Sequence, residues 1–309
     1  MSKINLKLTG NVLKVAIVLL AATTLFFAIK RFLTDEGDVQ LFREQVATQP
    51  ILLIFAIMLM PINWFLEVAK WKNIIAVREQ ISWREAWSGV LAGLAIGAAT
   101  PNRVGEFAGR VFQLKKATIY EGISCTLVCS MMQVTVTVLA GIIGLLLVDT
   151  SQVIHSTTTI IWALVIVVLI GLFLLIVRNV KGKFVKYVNV LRALHFTKWL
   201  SVFSLSGLRY SVYVLQFFLL LRLFGIAGGT MHLFGAITLN YLVITIIPSI
   251  MMSELFIRGS VASGVIGVLC GRPEAAAVAA VVLWLLNVGI PAIFGMFYVR
   301  KISLIRKGK

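Results

Sequence analysis

The sequence is poor in charged residues and in the side chains that usually hold metals. Only 13% of its 309 residues are charged, whereas 60% are hydrophobic. A soluble chain of this length needs a larger charged surface, so the composition excludes an ordinary water-soluble protein. The three histidines are scattered, and no catalytic set, metal site or cofactor motif is found. The cysteines lie in apolar segments, which predicts packing rather than a metal site or disulfide: Cys125, Cys129 and Cys270.

The sequence is instead rich in long apolar runs. They predict an all-α polytopic membrane protein, since a helix needs about 20 apolar residues to cross a bilayer. We treat residues 1–309 as one transmembrane domain. Its first apolar run is expected to be a retained helix rather than a cleaved signal peptide. Six full spans are predicted at about 12–29, 50–69, 122–148, 158–177, 199–224 and 275–299. Two further apolar regions, about 86–116 and 232–270, are interrupted internally.

The net charge of +17 is confined to short segments between the apolar runs. This pattern fits the positive-inside rule and an anionic inner leaflet better than it fits nucleic-acid binding. Of the 29 lysines and arginines, 22 lie in five segments that we place in the cytoplasm, and 4 lie in the segments between them. The five are 1–14, 70–85, 103–116, 178–198 and 300–309. Both chain ends are therefore predicted to be cytoplasmic.

This orientation predicts that both interrupted regions are re-entrant hairpins. Both ends of region 86–116 fall inside, and both ends of region 232–270 fall outside. A segment that enters and leaves on one side must turn back within the membrane. Two hairpins of opposite orientation are typical of inverted-repeat transporters, so we predict an inverted repeat.

Each interrupted region carries a similar motif. A proline precedes a glutamate, and an arginine follows four residues later: Pro101, Glu106 and Arg110, then Pro248, Glu254 and Arg258. Glutamate and arginine at this spacing share a helix face and can pair. Thr100 before Pro101 predicts an N-cap and the start of a half-helix, whose free N–H groups suit a phosphate. Charges near the bilayer centre cost about 2.5–3.5 kcal/mol each, which implies pairing, water or a ligand. Alternatively, each pair only locks its own hairpin.

Isolated polar residues inside the spans give further expectations. Arg209, near the middle of its span, is expected to face the bundle interior and to pair with Glu106, Glu254 or an anionic ligand. Glu67 is expected to pair with nearby lysines at the headgroup level, with a buried role as the alternative. Two uses are open to four polar residues, namely lining a cavity or, as we expect, forming interhelical hydrogen bonds: Gln133, Asn240, Tyr241 and Asn287. A glycine ridge predicts close helix packing: Gly89, Gly93, Gly97, Gly105 and Gly109.

The stretch from Thr100 to Glu106, followed by Arg110, resembles the P-x-R-x-G-E-x3-R signature of the lysylphosphatidylglycerol synthase transmembrane family, also called flippase-like. The resemblance covers nearly the whole chain, but residues 250–253 replace the glycine-rich turn that the family has before its second glutamate. It implies lipid handling by a membrane module. Because the chain stops ten residues after its last span, it also implies a stand-alone module without the aminoacylating domain, and hence no enzyme. Five positions match the signature: Pro101, Arg103, Gly105, Glu106 and Arg110.

We therefore predict a flippase-like protein of the bacterial inner membrane. It would translocate or bind an anionic lipid or lipid-linked headgroup, of phospholipid or polyprenyl-phosphate type. The alternatives are a non-transporting accessory protein for an envelope-synthesis enzyme and a membrane-embedded lipid-modifying enzyme. The predicted substrate-binding residues are Arg103, Glu106, Arg110, Arg209, Glu254 and Arg258, and the predicted structural ones are Pro101, Gly105 and Pro248.

Overall fold

A computed structural model describes residues 19–20, 22–98, 100, 103–148, 190–247 and 251–299. These residues form helices and short connections, with no strand among them. The predicted span 158–177, most of segment 178–198, part of span 12–29, and the prolines Pro101 and Pro248 lie outside the described residues. The helices are α1 (22–34), α2 (Glu36–Thr48), α3 (Pro50–Ile75), α4 (Trp83–Ala98), α5 (Gly105–Val111), α6 (Ile119–Leu147), α7 (Phe196–Leu223), α8 (Thr230–Ile246), α9 (Met251–Cys270), α10 (Pro273–Trp284) and α11 (Ile290–Val299).

Apolar surface outside and polar side chains inside characterise this bundle. Within the described residues, five segments are long and apolar enough to cross a membrane: Pro50–Ile75, Ile119–Leu147, Phe196–Leu223, Ser253–Cys270 and Pro273–Val299. Large outward side chains such as Phe55 and Phe297 are more than half exposed, whereas Asn63 and Gln216 are buried. A protein in water has the opposite arrangement, so these helices define an all-helical multi-pass membrane protein.

Helices α4 and α5, from the first interrupted region, pack against each other as an antiparallel hairpin. A Cβ atom on Gly105 would lie 2.5 Å from the Ile96 carbonyl oxygen, and one on Gly93 would lie 2.8 Å from the Glu106 carbonyl oxygen. Gly109 similarly faces the backbone of Gly93. Only glycine allows backbones this close, so the predicted role of the glycine ridge in helix packing is confirmed.

The start of α5 corrects one expectation. The helix begins at Gly105 rather than at Pro101, after a turn in which Arg103 has the left-handed φ of 56°. The Thr100 hydroxyl does accept a backbone hydrogen bond, at 2.7 Å from the Gly105 nitrogen. The next two N–H groups bond to the carbonyls of Arg103 and Val104. The first N–H groups of α5 are therefore already used within the turn and are not free for a phosphate.

The two ends of each hairpin lie side by side. Before α4, the carboxylate of Glu79 accepts hydrogen bonds of 2.8–3.1 Å from the backbone nitrogens of residues 115–117, which follow α5. Burial raises the pKa of Glu79, but the three N–H donors outweigh this effect and lower the pKa below its ordinary value. In the second hairpin, the His232 ring near the start of α8 bonds to the Leu269 carbonyl near the end of α9, at 3.0 Å.

Candidate functional site

Glu67, in α3, is the centre of a cluster of buried charges. Its carboxylate lies 2.8 Å from Lys70 Nζ, 2.7 Å from an Arg110 guanidinium nitrogen and 3.1 Å from Arg209 Nη1. These cations come from three helices, α3, α5 and α7. The Arg110 guanidinium also lies 5.7 Å from the centre of the Trp71 ring, a cation–π distance. One carboxylate therefore joins three helices through ion pairs.

The ion pairs continue from this cluster towards α9. Arg110 lies 3.8 Å from Glu106, which forms a close ion pair with Arg103. Arg103 in turn lies 3.6 Å from Glu254, and Glu254 pairs with Arg258 at 2.7 Å. Cations and carboxylates thus alternate in one row across the bundle. The turn ends of the two hairpins meet in this row, through Arg103 and Glu254.

Amide side chains extend the row on the α3 side. Arg209 Nε donates to the Asn63 side-chain oxygen at 3.0 Å, and Asn63 donates to Asn287 at 2.6 Å. Asn287 donates to Gln216 at 2.7 Å. Asn287 lies in a π-helical turn, Leu285–Gly289, between α10 and α11. Such turns present extra polar groups and are frequent at functional sites.

A cavity of about 390 Å³ lies along this row. Its lining includes Arg209 and Gln133, which lie near the middle of α7 and α6, and Asn287, near the middle of Pro273–Val299. Tyr213 lines it as well and receives a 3.4 Å hydrogen bond from Arg258. Apolar side chains such as Leu94 complete the wall. Because residues near the middle of three long apolar helices line it, the cavity lies at mid-length of these helices.

The charges around the cavity do not balance. In the described part of the chain, five cations and three carboxylates line the cavity or pair with residues that do, which leaves a net charge of +2. The cations are Lys70, Arg103, Arg110, Arg209 and Arg258, and the carboxylates are Glu67, Glu106 and Glu254. An excess of buried positive charge is unfavourable without a counter-ion. The arrangement therefore suits an anion.

Hydrogen-bond donors without a partner also line the cavity. In the structure as described, several buried N–H and O–H groups on lining residues have no hydrogen-bond partner: Trp64 Nε1, Arg103 Nε, Arg110 Nε and Nη1, and the hydroxyls of Tyr210 and Tyr241. Oxygen-rich ligands accept such bonds. Among the described residues, no group of three or more histidine, cysteine, aspartate or glutamate side chains could hold a metal ion.

The structure brings all six predicted substrate-binding residues into this one row. The two motif pairs form as their spacing indicated, at 3.8 Å for Glu106–Arg110 and 2.7 Å for Glu254–Arg258. Arg209 forms its ion pair with Glu67 rather than with Glu106 or Glu254, so these two expected partners were wrong, and its contact with an anionic ligand stays a prediction. The expected pairing of Glu67 with a lysine is confirmed by Lys70. Its placement at the headgroup level was wrong, since the side chain is only 12% exposed and has two further cationic partners, as the alternative of a buried role implied.

Glu67 and Lys70 were not predicted as site residues because their helix is longer than its apolar run. The run ends near residue 69, whereas α3 continues to Ile75, so Glu67 lies more than two turns from the helix end. Their spacing of three residues on one face, with Asn63 one turn earlier, was the available signal. Gln133, Tyr241 and Asn287 line the cavity, as one expectation allowed, and Asn240 is not among the lining residues.

The fold and the buried polar row define an integral helical membrane protein with a charged site in its interior. The sequence model of one family, described as the lysylphosphatidylglycerol synthase TM region, matches residues 11–295. The chain therefore belongs to this family, as the motif around Glu106 predicted. Among curated proteins, none matches the chain.

Proposed function

We propose that this protein binds an anionic lipid headgroup in the cavity and translocates the lipid between leaflets. The observation that supports this proposal is the row of arginines and glutamates beside a cavity at mid-length of the helices, with five cations against three carboxylates. A headgroup crosses a bilayer slowly because its charge must leave water. Fixed guanidinium groups at mid-depth replace that water and pair with phosphate oxygens, which lowers the barrier.

The proposed mechanism uses the two hairpins as opposed re-entrant elements of an inverted repeat. Hydrogen bonds hold the two ends of each hairpin together. In the first hairpin, backbone N–H groups of residues 115–117 donate to Glu79, and in the second the His232 ring bonds to the Leu269 carbonyl. At their turn ends, Arg103 and Glu254 are 3.6 Å apart. This geometry supports hairpins that enter from opposite sides and meet at the site. Movement of one hairpin against the other would open the cavity to each leaflet in turn.

We further propose the setting in which this activity operates. The excess of lysine and arginine in alternate segments supports cytoplasmic N- and C-termini. The location would be the bacterial inner membrane, with membrane lipids as ligands and an envelope-synthesis enzyme as the protein that supplies or uses them. The matched family description names a transmembrane region, and we propose that this chain is a transport module without a catalytic step of its own.

A translocation assay in proteoliposomes tests this proposal. Purified wild-type protein is reconstituted with fluorescent lipids of several headgroups, and the fraction that reaches the opposite leaflet is measured over time. Glu106→Gln and Arg209→Ala are expected to reduce the rate at least about tenfold, since each removes a charge from the row. Folding of each variant is checked by size-exclusion chromatography.

Matched controls separate the site from general effects of charge. Arg222→Ala removes an arginine from the same helix as Arg209, but Arg222 donates to the carbonyls of Ile226 and Gly228 and does not line the cavity. Glu44→Gln removes an exposed glutamate of α2. Both should translocate at the wild-type rate. Wild-type protein that moves no lipid would refute transport, and co-purification with an envelope enzyme would then favour the accessory function.

A further inference from the structure

The three carboxylates of the row are already paired with cations of the chain. Glu67 contacts three cations, and Glu106 and Glu254 each contact two. An ammonium group of a bound headgroup would have to share one of these carboxylates with an arginine or lysine. It would also add positive charge to a site that already has too much. The row therefore disfavours zwitterionic and aminoacylated headgroups.

The side chains nearest the cavity show the same excess. Among the cations of the described row, Arg209 is 30%, Arg103 28% and Arg258 17% exposed, while Arg110 and Lys70 are enclosed at 6% and 2%. Among its carboxylates, Glu106 is 21%, Glu67 12% and Glu254 5% exposed. The four most open charges of the described row are therefore three guanidinium groups and one carboxylate. These four groups carry a net charge of +2.

We propose that the headgroup bound here is a dianionic phosphate, a phosphomonoester or diphosphate without a cationic group. This inference rests on the proposed function and names its ligand class. A dianion neutralises the excess of +2, whereas a phosphodiester neutralises half of it. Donor side chains such as Tyr210 and Tyr241, whose hydroxyls have no partner in the described structure, supply hydrogen bonds that the additional phosphate oxygens can accept.

Binding to the purified wild-type protein tests the inference without any substitution. Dioctanoyl phosphatidate and dioctanoyl phosphatidylmethanol have the same chains and differ by one methyl ester and one charge. At about pH 8 the first carries nearly two negative charges and the second carries one. We expect phosphatidate to bind at least about tenfold more tightly, as measured by microscale thermophoresis in detergent. Dioctanoyl phosphatidylethanolamine and lysylphosphatidylglycerol should bind more weakly than both.

Substitutions at the open arginines should remove this preference selectively. Arg209→Gln or Arg258→Gln leaves a net charge of +1, so the ratio of the two affinities should fall towards one while phosphatidylmethanol still binds. Arg222→Gln, outside the cavity lining, should keep the wild-type ratio. Equal affinities of the wild type for phosphatidate and phosphatidylmethanol, or tighter binding of lysylphosphatidylglycerol, would overturn the dianion assignment and leave anionic-lipid binding or lipid handling intact.

A separate arm distinguishes a lipid from a soluble ligand. Inorganic phosphate presents the same dianion without acyl chains, and it should compete with phosphatidate only at much higher concentration. If inorganic phosphate binds as tightly as phosphatidate, the dianion assignment stands and the lipid function fails. If no lipid and no phosphate binds to the folded protein, both proposals are refuted.

Discussion

Substitution of Glu67 by glutamine should destabilise this protein more than the loss of any other single carboxylate in the row. The change keeps the shape of the side chain but removes the charge that Lys70, Arg110 and Arg209 share at 2.7–3.1 Å. Lys70 and Arg110 are nearly inaccessible, so solvent cannot replace the lost partner. Removing one member of a buried ion pair costs about 3–5 kcal/mol, because the remaining charge stays buried without compensation.

The magnitude can be read from thermal unfolding of the purified protein in detergent. A loss of that size corresponds to a decrease in melting temperature of roughly 10 °C in a chain of a few hundred residues. Glu44→Gln, at an exposed site on α2, should change the melting temperature by no more than about 2 °C. Fluorescence-detected size-exclusion chromatography after heating reports both values on the same scale.

A second substitution tests whether charge is the cause. Lys70→Met removes one of the cations left without a partner, so Glu67→Gln with Lys70→Met should be more stable than Glu67→Gln alone. An effect of shape or hydrogen bonding would instead make the double variant less stable than either single one. A Glu67→Gln melting temperature equal to that of the wild type would refute the conclusion that this carboxylate holds three buried cations.

Three further predictions concern other parts of the bundle. Gly109→Ala should destabilise the protein by about 1–3 kcal/mol or prevent folding, because the new methyl group would meet the backbone of Gly93, and the yield of monodisperse protein measures this. Asn287→Leu should reduce the free energy of unfolding by about 1 kcal/mol, since interhelical hydrogen bonds in membranes are weak. Its melting temperature should therefore fall less than that of Glu67→Gln. The pKa of Glu79 is lowered in the folded state. The ionised Glu79 therefore contributes to stability above the ordinary carboxyl pKa, and this stability is lost as the pH falls through the lower folded-state pKa. Glu79→Gln should be less stable than the wild type at neutral pH, and the difference between the two should shrink in acid.

The local order of the chain was accessible from sequence patterns. Apolar runs of sufficient length predicted the long helices, because a helix is the only spanning element that satisfies its own backbone in lipid. The four-residue spacing of Glu254 and Arg258 predicted their ion pair, since such residues share a helix face. The ridge of glycines around Gly93 predicted close packing because only small residues allow it. Each of these inferences uses contacts within one helix or a property of one helix surface.

The partners across helices were decided by tertiary packing. Arg209 was expected to pair with a motif glutamate or an anionic ligand, yet the carboxylate it contacts is Glu67, which lies 142 positions earlier in the chain. Nothing in that separation favours Glu67 over the motif glutamates. The exact start of α5 likewise depended on a left-handed turn at Arg103. The sequence by itself determined that this is a helical membrane protein with charges inside its spans. Only the tertiary structure decided that those charges form one row beside one cavity, because that depends on how the helices are arranged around each other in space.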